Sequence, residues 1–258
     1  MCKIGEVVVV GGVRRSALIS LSNLGDDQMA HAKSGQWWDT EPQRALANNS
    51  VAYKGKPEMG TFMREWVSLY ESKSGERGIF NREAAKTQAA KNGRRDTEHS
   101  FGCNPCSEII LRPYQFCNLS EVVARASDTQ QSLREKVRLA TILGTFQSTL
   151  TDFKYLRNVW KKNTEEERLL GVSLTGIMDN DLLSGTSAHL GKNIGQTLET
   201  LRDTAVETNA AMAEQLGIPQ STAITCVKPS GTVSQLVDSA SGIHARHNPH
   251  YIRTVRGD

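Results

Sequence analysis

The stretch Gly102-Cys-Asn-Pro-Cys-Ser-Glu108 places two thiols, an amide and a carboxylate within seven residues. The Cys103-x-x-Cys106 spacing satisfies the template of a redox pair or of half a zinc site. A second chemistry follows from alternation. If the segment is extended, Asn104, Cys106 and Glu108 project from one face, because successive side chains of a strand point to opposite sides. An amide holding a hydroxyl, a thiol taking hydrogen and a carboxylate shuttling a proton would then meet one substrate. A third reading is a buried cysteine beside an incidental Asn and Glu. For zinc the nearest further ligand is Cys117; His244, His247 and His250 are distant, in a stretch that reads as exposed. Spacing alone favours the third reading.

The segment Lys228-Pro-Ser-Gly-Thr-Val233 is the second chemical feature. It follows an apolar run, and a Gly/Ser/Thr-rich turn at a strand end gathers backbone N–H groups and hydroxyls suited to phosphate, more so if a helix starts there. It lacks the Gly-x4-Gly-Lys-Ser/Thr spacing of a Walker loop.

Alternating short apolar runs and helical patterns predict an α/β architecture to hold these groups. Val7–Val10 and Ala17–Leu21 read as strands around Gly11-Gly12, and Asp26 to Asn49 as helix then loop. Gly60–Ser74 reads as a helix burying Phe62, Trp66 and Tyr70, and Gly78–Arg82 as a loop. Residues 83–101 read as an Ala-rich helix followed by an exposed Gly-Arg-Arg-Asp stretch. Ser132-Leu-Arg-Glu135 has the capping-box pattern; it predicts a helix to about Trp160 that buries Val137, Ala140, Leu143, Phe146, Leu150 and Phe153. A second helix, Asn193 to Leu216, carries Leu198, Leu201, Ala205 and Met212 on one face and ends at Gly217, which suits a left-handed cap. Leu169–Ile177 and Ala223–Val227 read as buried strands.

At 258 residues and 38% hydrophobic, the chain has material for one large domain or two small ones. Its five cysteines, at 2, 103, 106, 117 and 226, are odd in number and unevenly placed, which argues against a disulfide scaffold. A net charge of +3 spread along the chain gives no nucleic-acid stripe. With no run of eighteen apolar residues and no signal peptide at the N-terminus, a cytoplasmic location without a membrane partner is expected.

Asn104-Pro-Cys-Ser-Glu108, followed eleven residues after Cys106 by Cys117-Asn-Leu, resembles the finger-loop signature of ribonucleotide reductase large subunits. Gly11-Gly-Val-Arg-Arg-Ser-Ala17 is similar to the family's specificity loop, and Lys228–Val233 to its substrate-phosphate loop. Ser34-Gly-Gln-Trp-Trp38, Ala47-Asn-Asn-Ser50, Gly75–Arg82 and Tyr251–Arg256 most resemble the adenosylcobalamin-dependent, class II branch.

The resemblance implies a ten-stranded α/β barrel threaded by the finger loop. Residues 1–258 would form one incomplete segment of it, without the first strands and the C-terminal redox tail. It implies that Cys106 becomes a thiyl radical that removes the ribose 3′-hydrogen. Glu108 takes the 3′-hydroxyl proton, Asn104 holds substrate hydroxyls, and Cys117 is one of two reducing thiols. Pro229, Ser230, Gly231, Thr232 and Val233 would hold the phosphates, and Gly11, Gly12, Val13, Arg14 and Arg15 would read the effector. Adenosylcobalamin is the implied cofactor and no metal ion is. The implied partners are a ribonucleoside triphosphate or diphosphate, a nucleotide effector, a thioredoxin-like reductant and complementary reductase segments. Cys103 receives no role. The alternatives are a class I large-subunit segment, a nonenzymatic nucleotide-binding remnant and a zinc-binding domain.

Overall fold

The computed structural model describes residues 1–7, 9–10, 13–14, 17–73, 76–185, 193–248, 250 and 252. The chain divides into two compact units, Met1–Pro113 and Tyr114–Arg253.

The first unit opens with α1 (Cys2–Glu6) and the ribbon β1 (Val9–Val10), inside the Val7–Val10 run expected as a strand, and β2 (Val13–Arg14). Its platform is the parallel sheet β3 (Leu18–Ser22), β4 (Ala47–Tyr53) and β5 (Gly78–Asn81), in that order. Short helices α2 (Asp27–Ala30) and α3 (Trp37–Thr40) and a 3-10 turn at Pro42–Leu46 bridge β3 to β4, and α4 (Met59–Ser72) crosses from β4 to β5. Helix α5 (Arg82–Ala90) follows, capped by the Asn81 side chain, which accepts from Glu83 N and Ala84 N. A small antiparallel hairpin, β6 (Gly102–Cys103) and β7 (Ile110–Leu111), closes the unit.

Two sequence expectations fail here for one reason. Ala47-Asn-Asn-Ser50 and Gly78–Asn81 show no alternation, yet both are strands, because β4 is central in a parallel sheet and needs no polar face. Asn49 and Ser50 are buried within it. Helix α4 forms as expected but presents a different face. Phe62 packs against Tyr53 with ring centroids 6.4 Å apart, whereas Trp66 and Tyr70 are 50% and 81% exposed. The buried position is Glu65, paired in bidentate fashion with the buried guanidinium of Arg77, which also donates to Ser22 Oγ.

The second unit is built on β8 (Asn118–Val123) and β9 (Leu170–Thr175), paired in parallel from Asn118↔Leu170 to Val123↔Thr175. Helix α6 (Gln130–Gln147) lies between them in sequence, followed by α7 (Asn158–Glu167). Val122, Leu133, Val137, Ala140, Leu170, Val172, Leu201, Ala205 and Ile224 form the core. The capping box sits one turn earlier than expected, with Ser132 N donating to Thr129 Oγ1 and Thr129 N donating to Ser132 Oγ. Helix α6 stops at Gln147 rather than near Trp160. Thr145, Ser148 and Thr149 hydroxyls donate back to the carbonyls of Thr141, Thr145 and Phe146, the local competition that hydroxyl residues offer a helix ladder. Leu143 and Phe146, within α6, and Leu150, beyond it, are exposed rather than buried.

After β9 come a 3-10 turn at Ile177–Asp179, α8 (Asp181–Ser184), the long α9 (Ile194–Leu216) and the short α10 (Thr232–Leu236). Asn193 caps α9, and Gly217 ends it in the left-handed conformation at φ 63°, as expected. The run Ala223–Val227 contributes only a single bridge, Thr225↔Val172, not a full strand. Gly176, at φ 74°, is required by a close approach: a Cβ there would lie 2.4 Å from the Ala124 carbonyl oxygen. No helix among the described residues is long and apolar enough to cross a membrane.

Candidate active site

The Asn104–Glu108 segment is a turn and not the extended segment that would set Asn104, Cys106 and Glu108 on one face. Ser107 N donates to Asn104 O at 2.9 Å, and Ser107 takes φ 63°. Asn at the first position and Pro105 at the second are the residues a β-turn favours, so the Asn-Pro pair carried the signal. Same-face alternation therefore does not apply.

Asn104 holds the turn from inside, its Oδ1 accepting from Ile109 N at 3.0 Å. With that oxygen committed, the amide NH2 is the end that can offer a hydrogen bond to a ligand hydroxyl. Cys106 is exposed at the turn, Glu108 is half-buried, and Cys103 is half-buried with its sulfur 3.4 Å from Ser107 Oγ. Burial pushes the Cys103 thiol above its ordinary range, with nearby Glu108 adding to the effect against the Ser107 hydrogen bond. Exposure is what separates the two thiols: Cys106 is open at the turn and Cys103 packs against the hairpin's own cluster.

The hairpin carrying this turn is anchored on the β3–β4–β5 platform. Cys103, Ile110 and Leu21 pack on a cluster of Ala52, Phe80, Ala85, Ala89 and Phe101. Asn48 Nδ2 of β4 donates to the Pro105 carbonyl at 2.7 Å, immediately before Cys106. Sequence reasoning picked out Ala47–Ser50 without giving it a task.

In the second unit, Cys117 is half-buried directly before β8, at the N-terminal end of the β8–β9 pair. The Lys228–Val233 turn lies at the opposite, C-terminal end. Gly242 N donates to Thr175 Oγ1 at 2.8 Å, and a Cβ on Gly242 would meet the Lys228 carbonyl oxygen at 3.0 Å. The structure thus sets Cys117 and the phosphate-type turn at different ends of one sheet. Ser230 is buried and its Oγ accepts from Ser234 N, so its hydroxyl serves the turn. Gly231, Thr232 and Val233 are exposed, and the first N–H groups of α10 have no intrahelical acceptor. The exposed backbone amides, rather than the Ser230 hydroxyl, are what the turn offers an anion.

Asp179 braces the same end of the sheet, its carboxylate accepting two bonds from Arg246 and one from Ala240 N. The Arg246 guanidinium holds the Asp179 carboxyl below the ordinary carboxylate range. With the folded pKa below the unfolded one, the pair stabilises above the unfolded value near pH 4 and its contribution is lost as pH falls through the folded value. Arg246→Gln is expected to cost ~0.5–1 kcal/mol at neutral pH, discounted for exposure, and to flatten the loss of stability between pH 5 and pH 2. Urea midpoints across that range check it.

Of the effector-loop residues, Val13 and Arg14 form β2, while Gly11, Gly12 and Arg15 lie outside the described residues. Of the other quoted stretches, Gly75, Tyr251 and 253–256 also lie outside them. Among the described residues no group of three or more His, Cys, Asp or Glu is placed to hold a metal ion.

No family model matches the chain. The adenosylcobalamin-dependent ribonucleoside-triphosphate reductase of Lacticaseibacillus paracasei is 31% identical over 280 residues, covering 98% of this chain. This chain belongs to the ribonucleotide reductase family. The reductase of the same description from Lactobacillus acidophilus is 30% identical, again over 98% of this chain. The chain spans 36% of the length of each of these reductases. A solved B12-dependent, class II ribonucleotide reductase matches with a TM-score of 0.68 at 24% identity, over 93% of this chain and 35% of that one. The class Id ribonucleotide reductase α subunit of Actinobacillus ureae matches at 0.66 and 13% identity, over 94% of this chain and 51% of that one. The α/β fold is therefore that of reductase large subunits.

Proposed function

We propose that this chain is the catalytic-core segment of a cytoplasmic, adenosylcobalamin-dependent ribonucleoside-triphosphate reductase. The observation that carries the reading is the Cys106 turn: an exposed thiol on an anchored hairpin, flanked by an amide with a free donor end and by a carboxylate. It lies within a chain similar to such reductases over nearly its whole length.

In this reading the Cys106 thiyl takes the hydrogen from C3′ of the ribose and returns it at the end. The Asn104 amide donates to a substrate hydroxyl, and Glu108 takes the 3′-hydroxyl proton as the 2′-hydroxyl leaves as water. Two electrons come from a thiol pair that includes Cys117 and ends as a disulfide, which a thioredoxin-like dithiol re-reduces. The exposed amides of the 229–233 turn hold the phosphates, so that binding energy distant from the ribose fixes it for reaction. Residues 11–15 answer to a nucleotide effector.

The described residues bear on the cofactor at one point only: Cys106 is exposed, so a bulky group can approach its thiol. When bound, adenosylcobalamin would supply the radical that this thiol needs.

Alkylation of Cys106 by iodoacetamide tests the reading. In a mixture with complementary reductase segments, a saturating ribonucleoside triphosphate is expected to slow it at least about fivefold, since a bound ribose covers the thiol. Equal rates with and without nucleotide would contradict the assignment. The isolated chain is expected to show no turnover.

A further inference from the structure

We infer that Asn48 is a positioning residue for the Cys106 turn. The turn has internal bonds, Ser107 N to Asn104 O and Ile109 N to Asn104 Oδ1, but these fix its shape and not its place. The hairpin below is seated by its apolar packing, and at the turn itself the Asn48 amide adds a tie from outside, donating to the Pro105 carbonyl at 2.7 Å across 57 residues of sequence. The anchor is itself stiff. Asn48 stands in the central strand β4, paired with Ile19 of β3. Its neighbour Asn49 is buried and gives its backbone N–H to Glu76 Oε2 at 3.0 Å. Lys33, buried below, donates to both the Ala47 carbonyl and Glu76. One turn carbonyl, one residue before the thiol, is thereby referenced to a rigid sheet.

The chemistry makes this position sensitive. The Pro105 carbonyl lies in the same planar peptide as the nitrogen of Cys106, so holding that oxygen orients the peptide that carries the thiol. A shift of about 1 Å at a reacting group can cost about a hundredfold in rate. Asn48 bonds the Pro105 carbonyl and not the thiol, and it acts through that carbonyl.

Its catalytic consequence rests on the reductase reading, but the anchoring does not, and the test separates the two. Hydrogen exchange in the chain itself is read as the ratio of rates in 104–109 to those in β4 and β5. Asn48→Ala, and the near-isosteric Asn48→Asp that loses the donor, are each expected to raise that ratio about fivefold to tenfold, the range one net hydrogen bond supports. An unchanged ratio in both variants overturns the anchoring, even if exchange accelerates throughout the unit. In the complemented reductase assay Asn48→Asp is expected to lower kcat about tenfold with KM held within about twofold. A raised KM with kcat unchanged overturns the positioning role. If the wild-type mixture is itself inactive the reductase reading fails, and the exchange ratio still decides the role of Asn48.

Discussion

Cys106→Ser is expected to abolish deoxynucleotide formation by the complemented assembly, lowering turnover by at least about a thousandfold. Serine keeps size and polarity but has a far stronger bond to hydrogen, so the hydroxyl cannot take the place of the thiol in hydrogen transfer. Cys103→Ser is expected to leave turnover within about threefold, because Cys103 packs on the apolar cluster beneath the hairpin and its sulfur faces Ser107 within that hairpin. The pair of variants separates a single reactive cysteine from a Cys-x-x-Cys couple. Equal losses in both would favour the redox-pair reading over the radical one. Cys117→Ser is expected to stop multiple turnovers, since in the proposed mechanism it removes one of the two reducing thiols, while nucleotide protection of Cys106 persists. That distinction matters because Cys117 stands at the opposite end of its sheet from the phosphate-type turn.

The largest effect on stability is expected at Arg77. Its guanidinium and the Glu65 carboxylate are both buried, so Arg77→Met leaves an uncompensated carboxylate inside the first unit, at a cost of about 3–5 kcal/mol. The double variant Glu65→Leu/Arg77→Met removes both charges and is expected to recover most of that loss. Ser22 Oγ keeps a partner in the double variant, since it also donates to the Ser50 carbonyl. Urea unfolding of the four proteins completes the cycle, and a single-variant loss under about 1 kcal/mol would show that the pair is not holding α4 to the sheet. The pair bears on function because β4, which it helps to seat, carries Asn48 and through it the Cys106 turn.

What could be read from the sequence differs by element for physical reasons. Helix α9 was legible at both ends because Asn193 and Gly217 are local signals that act on their own backbone. Strand β9 was legible as a Leu- and Val-rich run with little polar character, which the sheet buries almost throughout. Strand β4 was not, since Asn48, Asn49 and Ser50 are polar, and what makes them a strand is pairing with β3 on one side and β5 on the other. The face of α4 was misread because its aromatic spacing is helical but burial is decided by the Glu65–Arg77 pair, made across the tertiary structure. At the site, residue types pointed to a thiol chemistry and the Asn-Pro pair encoded the turn. Asn48 was invisible as its anchor, because a contact over 57 residues leaves no local pattern.

The most direct test of the central claim is deoxynucleotide formation from a ribonucleoside triphosphate, with adenosylcobalamin and a dithiol. It compares this chain alone, the complementary N- and C-terminal reductase segments alone, and the mixture. Product from the mixture only, at a rate proportional to the limiting component, is the predicted result. No product from the mixture, with a chain that is folded and binds nucleotide, would contradict a catalytic core and leave a binding module in its place.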